Sequence, residues 1–165
     1  MPLPFNLPNP HYFMLHHIIY FSKAVRQMNE NDLVQLLNES KDWNDPHKLT
    51  GMLVYMQGGL LSRNEGRFMQ AIEGNKNEID YIFEKIKKDH RHQQITILQY
   101  EPINKRNFET WLMGFETVNA KPNEKVKGFF ELDDSFLKSD EFVKSNMALN
   151  FLKSFYSTDI NVNAR

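Results

Sequence analysis

Apolar and polar positions repeat with two different periods along this chain, and each change of period marks an element. "LHHIIYF" (15–21) has the β-branched and aromatic content of a strand. "NENDLVQLLNESKDW" (29–43) switches to a helical period, with Leu33, Leu36, Leu37 and Ser40 on one face. Asn29 stands where a cap belongs, Asp32 sits at the N3 position, and Met28 is placed to staple onto Leu33. "LTGMLVYM" (49–56) and "RFMQAIE" (67–73) return to strand patterning, joined through a Gly-rich stretch at 57–66. "NKNEIDYIFEKIKKD" (75–89) is a second helix, with cap spacing at Asn75 and Glu78 and an apolar stripe of Ile79, Ile82, Phe83 and Ile86. "ITILQYEP" (95–102) and "TWLMGFET" (110–117) complete the series as strands.

This order predicts a ferredoxin-like α+β fold, βαββαβ with an extra edge strand, both helices on one face of the sheet. The other face then needs cover. "SDEFVKSNMALNFLKSFY" (139–156) supplies a candidate helix, capped by Ser139 and carrying Phe142, Leu149, Leu152 and Tyr156. "VKGFFELDDSFL" (126–137) also reads as helical. The expected organisation is an N-terminal arm (1–14), a central domain (15–117) and a C-terminal helical extension (118–165).

At 165 residues the chain fits one domain plus a modest appendage. It has no cysteine, which removes disulfides, thiolate metal sites and cysteine nucleophiles, and points weakly to a reducing cytoplasm. A net charge of -1 and a pI of 6.6 give no electrostatic argument for nucleic acid. The most apolar run, "YFMLHHIIYF" (12–21), is half the ~20 residues a spanning helix needs, so no membrane segment is expected. The arm "MPLPFNLPNP" has four prolines and no basic region, unlike a signal peptide. One local cluster is basic, "EKIKKDHRH" (84–92), which suits either a helix C-terminus or a phosphate. His90 and His92 have no third ligand at sensible spacing, so no metal is expected.

The candidate chemistry lies in polar residues on an otherwise apolar face. In "GRFMQAIEG" (66–74), alternation puts Gln70 beside Phe68 and Ile72. Tyr20 shares its strand face with Ile18, and this topology makes the first and third strands neighbours. Asn44, after the first helix, is placed to point towards the same gap. Two readings stand at this point: Tyr20 and Gln70 satisfy each other or ordered water, or the three groups hold a planar hydrogen-bonding ligand between the helices.

Five blocks, "IIYFS", "WNDPHKLTGMLVY", "GRFMQAIEG", "FEKIKKDHRH" and "FETWLMGF", together resemble a BLUF domain, a flavin-binding blue-light sensor, over about residues 15 to 117. The resemblance implies the ferredoxin-like fold, with flavin between the two helices. It implies that Tyr20 is the photochemical tyrosine, Gln70 the switching glutamine and Asn44 the partner of the isoalloxazine edge. Trp111 and Met113 match the signalling pair of the last strand, and Ser40 a small polar position ending the first helix. Lys85, Asp89, Arg91 and His92 fall near the ribityl and phosphate portion, and Leu36, Phe68, Ile82 and Ile86 on the apolar walls. FAD is the implied cofactor, FMN the alternative. The implied mechanism is electron and proton transfer from Tyr20, then a change in the Gln70 hydrogen bonds that red-shifts the flavin.

No enzyme activity is expected. Homo-oligomerisation and a downstream signalling protein are the expected protein partners. Two other classes are compatible with the fold: a flavin-free interaction module, and a small hydrolase resembling an acylphosphatase. The five retained residues Tyr20, Asn44, Gln70, Trp111 and Met113 argue against the first. "SKAVRQ" after Tyr20 offers Arg26 but no Gly-rich cradle for the second. Two features depart from the family pattern: the connection from Tyr55 to Phe68 is longer than its usual hairpin and is expected to project outward, and Lys85 stands where Arg is frequent.

Overall fold

The computed structural model describes residues 14–60, 63–118, 140, 146 and 148–153. Its elements follow the expected order: β1 (Leu15–Ala24), α1 (Glu30–Asn44), β2 (Thr50–Leu60), β3 (Arg63–Asn75), α2 (Lys76–Lys88), β4 (His92–Pro102) and β5 (Trp111–Val118). Helix α1 starts at a capping box. The Asn29 side chain accepts from the Asp32 amide at 3.0 Å, and Asp32 accepts from the Asn29 amide at 2.9 Å. Asp45 ends the helix, and Pro46, which cannot continue it, follows. Asn75 caps α2 through the Asn77 amide at 2.9 Å, and three lysines crowd its last turn, where cations suit the dipole.

The five strands lie in the order β4-β1-β3-β2-β5. All neighbouring pairs are antiparallel except β2 with β5, which is parallel. This is the ferredoxin-like arrangement with β5 as the added edge. Alternation along the strands splits the apolar side chains into two layers. On the helix side, Ile18, Tyr20, Leu53, Phe68, Ile72 and Trp111 pack with Leu33, Leu36, Ile79 and Phe83. On the other side, Ile19, Phe21, Met52, Val54, Met69 and Ala71 pack with Phe108 and with Ala148 and Leu152 of the helical stretch 148–153. The second face is therefore covered from the C-terminal part of the chain. The expected helix 126–137, Ser139, Phe142, Tyr156 and the arm 1–13 lie outside the described residues.

The stretch 57–66, read from the sequence as a connection between two strands, is itself part of them: β2 and β3 stay paired through Gln57↔Gly66, Gly58↔Glu65, Gly59↔Asn64 and Leu60↔Arg63. A tyrosine explains why the ribbon holds its register there. The Tyr55 hydroxyl accepts from the Met28 amide and donates to Gln57 Oε1, both at 2.9 Å. Its phenol crosses so close to Gly66 that a Cβ there would lie 2.4 Å from the hydroxyl.

A second device fixes β5. Glu73 is fully buried, yet its carboxylate is well supplied with donors: the Asn107 amide, Asn107 Nδ2, the Phe108 amide and the Thr50 hydroxyl, at 2.8–3.2 Å. Arg106 adds bonds to the Glu73 and Lys48 carbonyls at 2.9 and 2.8 Å. The β4–β5 connection is thereby pinned to β3. Gly51 continues the seam: its amide donates to the Thr110 carbonyl, and at φ +151° its bare Cα lets Ala71 approach where a Cβ would stand 2.0 Å from the carbonyl oxygen. Removing a carboxylate that satisfies buried amides leaves them orphaned, so Glu73→Ala is expected to cost about 2–4 kcal/mol and Glu73→Gln clearly less. Urea unfolding of the two variants checks this; a Glu73→Ala midpoint equal to wild type contradicts it.

Candidate functional site

Between α1 and α2, above the centre of the sheet, lies a cavity of about 330 Å³. Helical spacing brings Leu36, Glu39, Ser40, Trp43 and Asn44 of α1 onto one wall. Ile82, Lys85 and Ile86 of α2 form the other wall, Leu53 and Gln70 the floor, and Asp89, Arg91 and His92 the end beyond α2. Ten of the residues singled out in the sequence meet here: Leu36, Ser40, Asn44, Gln70, Ile82, Lys85, Ile86, Asp89, Arg91 and His92.

The other four take different places. Tyr20 lies beneath the cavity, fully buried, and its hydroxyl donates to Gln70 Oε1. The two residues are direct cross-strand partners of β1 and β3, so the sheet register itself sets this bond. Phe68, expected on the apolar wall, does not border the cavity. It packs against the ring of His92 at 4.6 Å and against that of its cross-strand neighbour Tyr55 at 5.1 Å. Trp111 and Met113 belong to the same apolar layer but stand on β5, beyond Leu53, which alone of the three reaches the cavity.

The sequence reading missed Glu39, Trp43 and Leu53. Glu39 and Trp43 carried a usable signal, since they follow Leu36 at i+3 and i+7 and precede or flank Ser40 and Asn44. Leu53 looked like any strand core residue.

The electrostatics divide the site into a neutral floor and a charged end. Burial pushes the Tyr20 phenol far above its ordinary pKa, so it stays protonated and remains a donor to Gln70. Burial likewise lowers the His92 imidazole to about 4, leaving it neutral, with Nδ1 2.8 Å from Ser22 Oγ. At the mouth, Arg91 donates to Asp89 through Nε and Nη2 at 3.0 and 2.6 Å, and to Glu39 through Nη1 at 2.8 Å. Burial pushes Asp89 upwards, but these Arg91 bonds outweigh it and hold the carboxyl below its usual range. The Lys85 ammonium stands 3.7 Å over the Trp43 ring, which stacks on His47 at 4.1 Å.

A family model matches residues 15–114, under the description BLUF, sensors of blue light using FAD. The chain belongs to the BLUF family. Photoactivated adenylate cyclase subunit beta of Euglena gracilis is 25% identical over 138 residues, covering 79% of this chain and 15% of its own length. The alpha subunit from the same organism is 28% identical over 137 residues, 79% of this chain and 12% of its own. This BLUF chain thus spans a small fraction of the curated relatives it matches. Among solved structures, the photo-activated state of BlsA is 26% identical with a TM-score of 0.58, covering 86% of this chain and 94% of that one. The dark state of the BLUF protein BlrB, at 24% identity and a TM-score of 0.59, covers 87% and 98% and shares the fold.

The residues present fit a flavin. Amide groups of Gln70 and the buried Asn44 suit the donor and acceptor edge of a planar ring, the aliphatic walls suit its faces, and Lys85 and Arg91 suit a phosphate.

The neutral His92 gives a pH test. A histidine held at about 4 in the fold, against 6.5 when unfolded, binds its proton only on unfolding between those values. Stability therefore rises with pH across that window and is lost on acidification, by about 1–3 kcal/mol for this group. Urea midpoints at pH 7 and pH 4.5 should show that loss in wild type and a smaller one in His92→Gln. Equal losses in both remove His92 as the cause.

Proposed function

We propose that this chain is a blue-light photoreceptor whose flavin lies in the interhelical cavity and whose switch is the Tyr20–Gln70 pair. The observation that carries this is the bond from a buried phenol to an amide that itself forms the cavity floor. Asn44 and Gln70 hold the polar edge of the ring, Leu36, Leu53, Ile82 and Ile86 its faces, and Lys85 and Arg91 the phosphate. When bound and excited by blue light, flavin supplies a strong one-electron oxidant.

Tyr20 is the electron donor. Its phenol is kept neutral by burial until it loses an electron, and then becomes strongly acidic. Gln70 Oε1 already accepts its hydrogen bond and is the first acceptor for that proton. The electron and the proton then return to Tyr20, which is left a neutral phenol, while the Gln70 amide, with a donor and an acceptor end, is left in a second hydrogen-bond pattern towards the cavity, by rotation, tautomerisation or both. This is a local bond change biasing a larger packing alternative. Trp111 and Met113, in the same apolar layer, relay it, and the helical stretch 148–153 on the far face of the sheet is the output surface, towards a second copy of the chain or a signalling partner. The cyclase activity of the Euglena relatives is theirs and is not carried to this chain.

Tyr20→Phe and Gln70→Leu both keep the apolar volume while deleting one end of the bond. Each is expected to retain pigment and lose the light-induced spectral shift completely, measured by absorption before and after blue illumination. A normal photocycle in either variant takes that residue out of the mechanism. Self-association is tested by light scattering after size exclusion, in darkness and under illumination; a monomer in both states refutes it.

A further inference from the structure

Two ties cross the mouth of the interhelical cavity, one helical turn apart on α1. At the first, Glu39 accepts from Arg91 Nη1 at 2.8 Å, while Asp89 holds the same guanidinium through Nε and Nη2 at 3.0 and 2.6 Å. At the second, the Trp43 ring of α1 stacks on the Tyr81 ring of α2, with centres 5.5 Å apart and planes inclined by 21°. Lys85, on the next turn of α2, sets its ammonium 3.7 Å from the centre of the Trp43 ring and 5.0 Å from that of Tyr81. His47 stacks on the same indole at 4.1 Å and its Nδ1 donates to the Trp43 carbonyl at 2.7 Å, so the turn after α1 steadies the ring. Trp43 and Lys85 border the cavity; Tyr81 does not, and it is 54% exposed.

The two ties differ in what opening them costs. Parting Arg91 from its carboxylates breaks charge-assisted hydrogen bonds. The ion pair beside the aromatic tie, His47 with Glu78, spans 3.9 Å at the surface, where such pairs contribute little. The ring contacts themselves part without stranding a buried polar group, and water replaces them at the exposed Tyr81 face. We propose that the Trp43–Tyr81 contact, with Lys85 beside it, is the gate through which a planar ligand enters and leaves the interhelical cavity. The proposal rests on that cavity being the flavin site. A gate is recognised by its effect on rates. Tyr81 borders none of the space a ligand fills, so its contact with Trp43 is equally strong with the cavity filled or empty. Weakening that contact raises the open fraction alike in both, and entry and exit quicken by one factor while the affinity stands. Loss of a wall residue acts differently, lowering affinity chiefly through the exit rate.

The full chain, stripped of pigment, is mixed rapidly with riboflavin, FMN or FAD, with flavin fluorescence as the readout of both rate constants. Tyr81→Ala removes the ring pair and part of the cation contact, so both constants should rise about tenfold, with Kd changed less than about twofold. Tyr81→Phe keeps the ring and should keep the wild-type rates. Tryptophan fluorescence reads the same contact with no flavin added. The chain has two tryptophans and Trp111 is 1% exposed, so quenching by acrylamide reports on Trp43. Quenching should increase in Tyr81→Ala and not in Tyr81→Phe. Unchanged rates or unchanged quenching in Tyr81→Ala, the same gains in Tyr81→Phe, or a faster exit alone with matching loss of affinity each overturn the gate and leave the flavin site standing. Failure of all three flavins to bind removes the flavin reading, and the gate with it.

Discussion

A phenol and a primary amide lie in a layer otherwise built from Ile18, Phe68, Ile72 and Phe83, and they are tolerated there because they bond to each other. Each group left unsatisfied at that depth costs about 1–3 kcal/mol, so the pair is an interaction the sheet must preserve. Its geometry is set by register, since Tyr20 and Gln70 face one another across β1 and β3. A slip of one residue in β3 would send Gln70 to the opposite face, among Ile19, Phe21, Met52 and Val54, and break the pair. The devices that fix the register of β3, the Tyr55 crossing at Gly66 and the Glu73 carboxylate, therefore serve the site although neither touches it.

The same strand joins the site to the rest of the molecule. Gln70 reaches the cavity floor, Met69 and Ala71 face the layer that holds Ala148 and Leu152, and Glu73 anchors the connection that leads into β5. Protein interiors are close-packed, so a change in the volume or bonding demanded by Gln70 is passed to neighbours and not absorbed. Leu53 sits between Gln70 and Met113 in the paired strands, which makes β2 the shortest physical connection from the floor to the edge strand.

Much of this was legible in the sequence because the relevant signals are local. The capping box at Asn29 and Asp32, the apolar stripe of α2 and the alternation around Gln70 each predict their element from a few residues. The cavity wall was legible where helical spacing dictates it, as for Leu36, Ser40 and Asn44. What escaped depends on distant chain segments. The place of Phe68 off the cavity is not legible in its own strand, because the rings it packs against, His92 and Tyr55, belong to β4 and β2. The Gly-rich 57–66 stretch read as a loop because the hydroxyl that steadies its pairing belongs to Tyr55 and is itself held by Met28. The role of Glu73 is invisible without the Asn107 and Phe108 amides, more than thirty residues away.

The most direct test is the light-minus-dark absorption difference of the purified wild-type chain. A flavin spectrum that moves reversibly to longer wavelength without bleaching is the predicted result, since the ring keeps its oxidation state and only its hydrogen bonding changes. A colourless protein that takes up no added flavin, or a bound flavin whose spectrum is unmoved by blue light, contradicts the claim that the Tyr20–Gln70 bond is a photochemical switch.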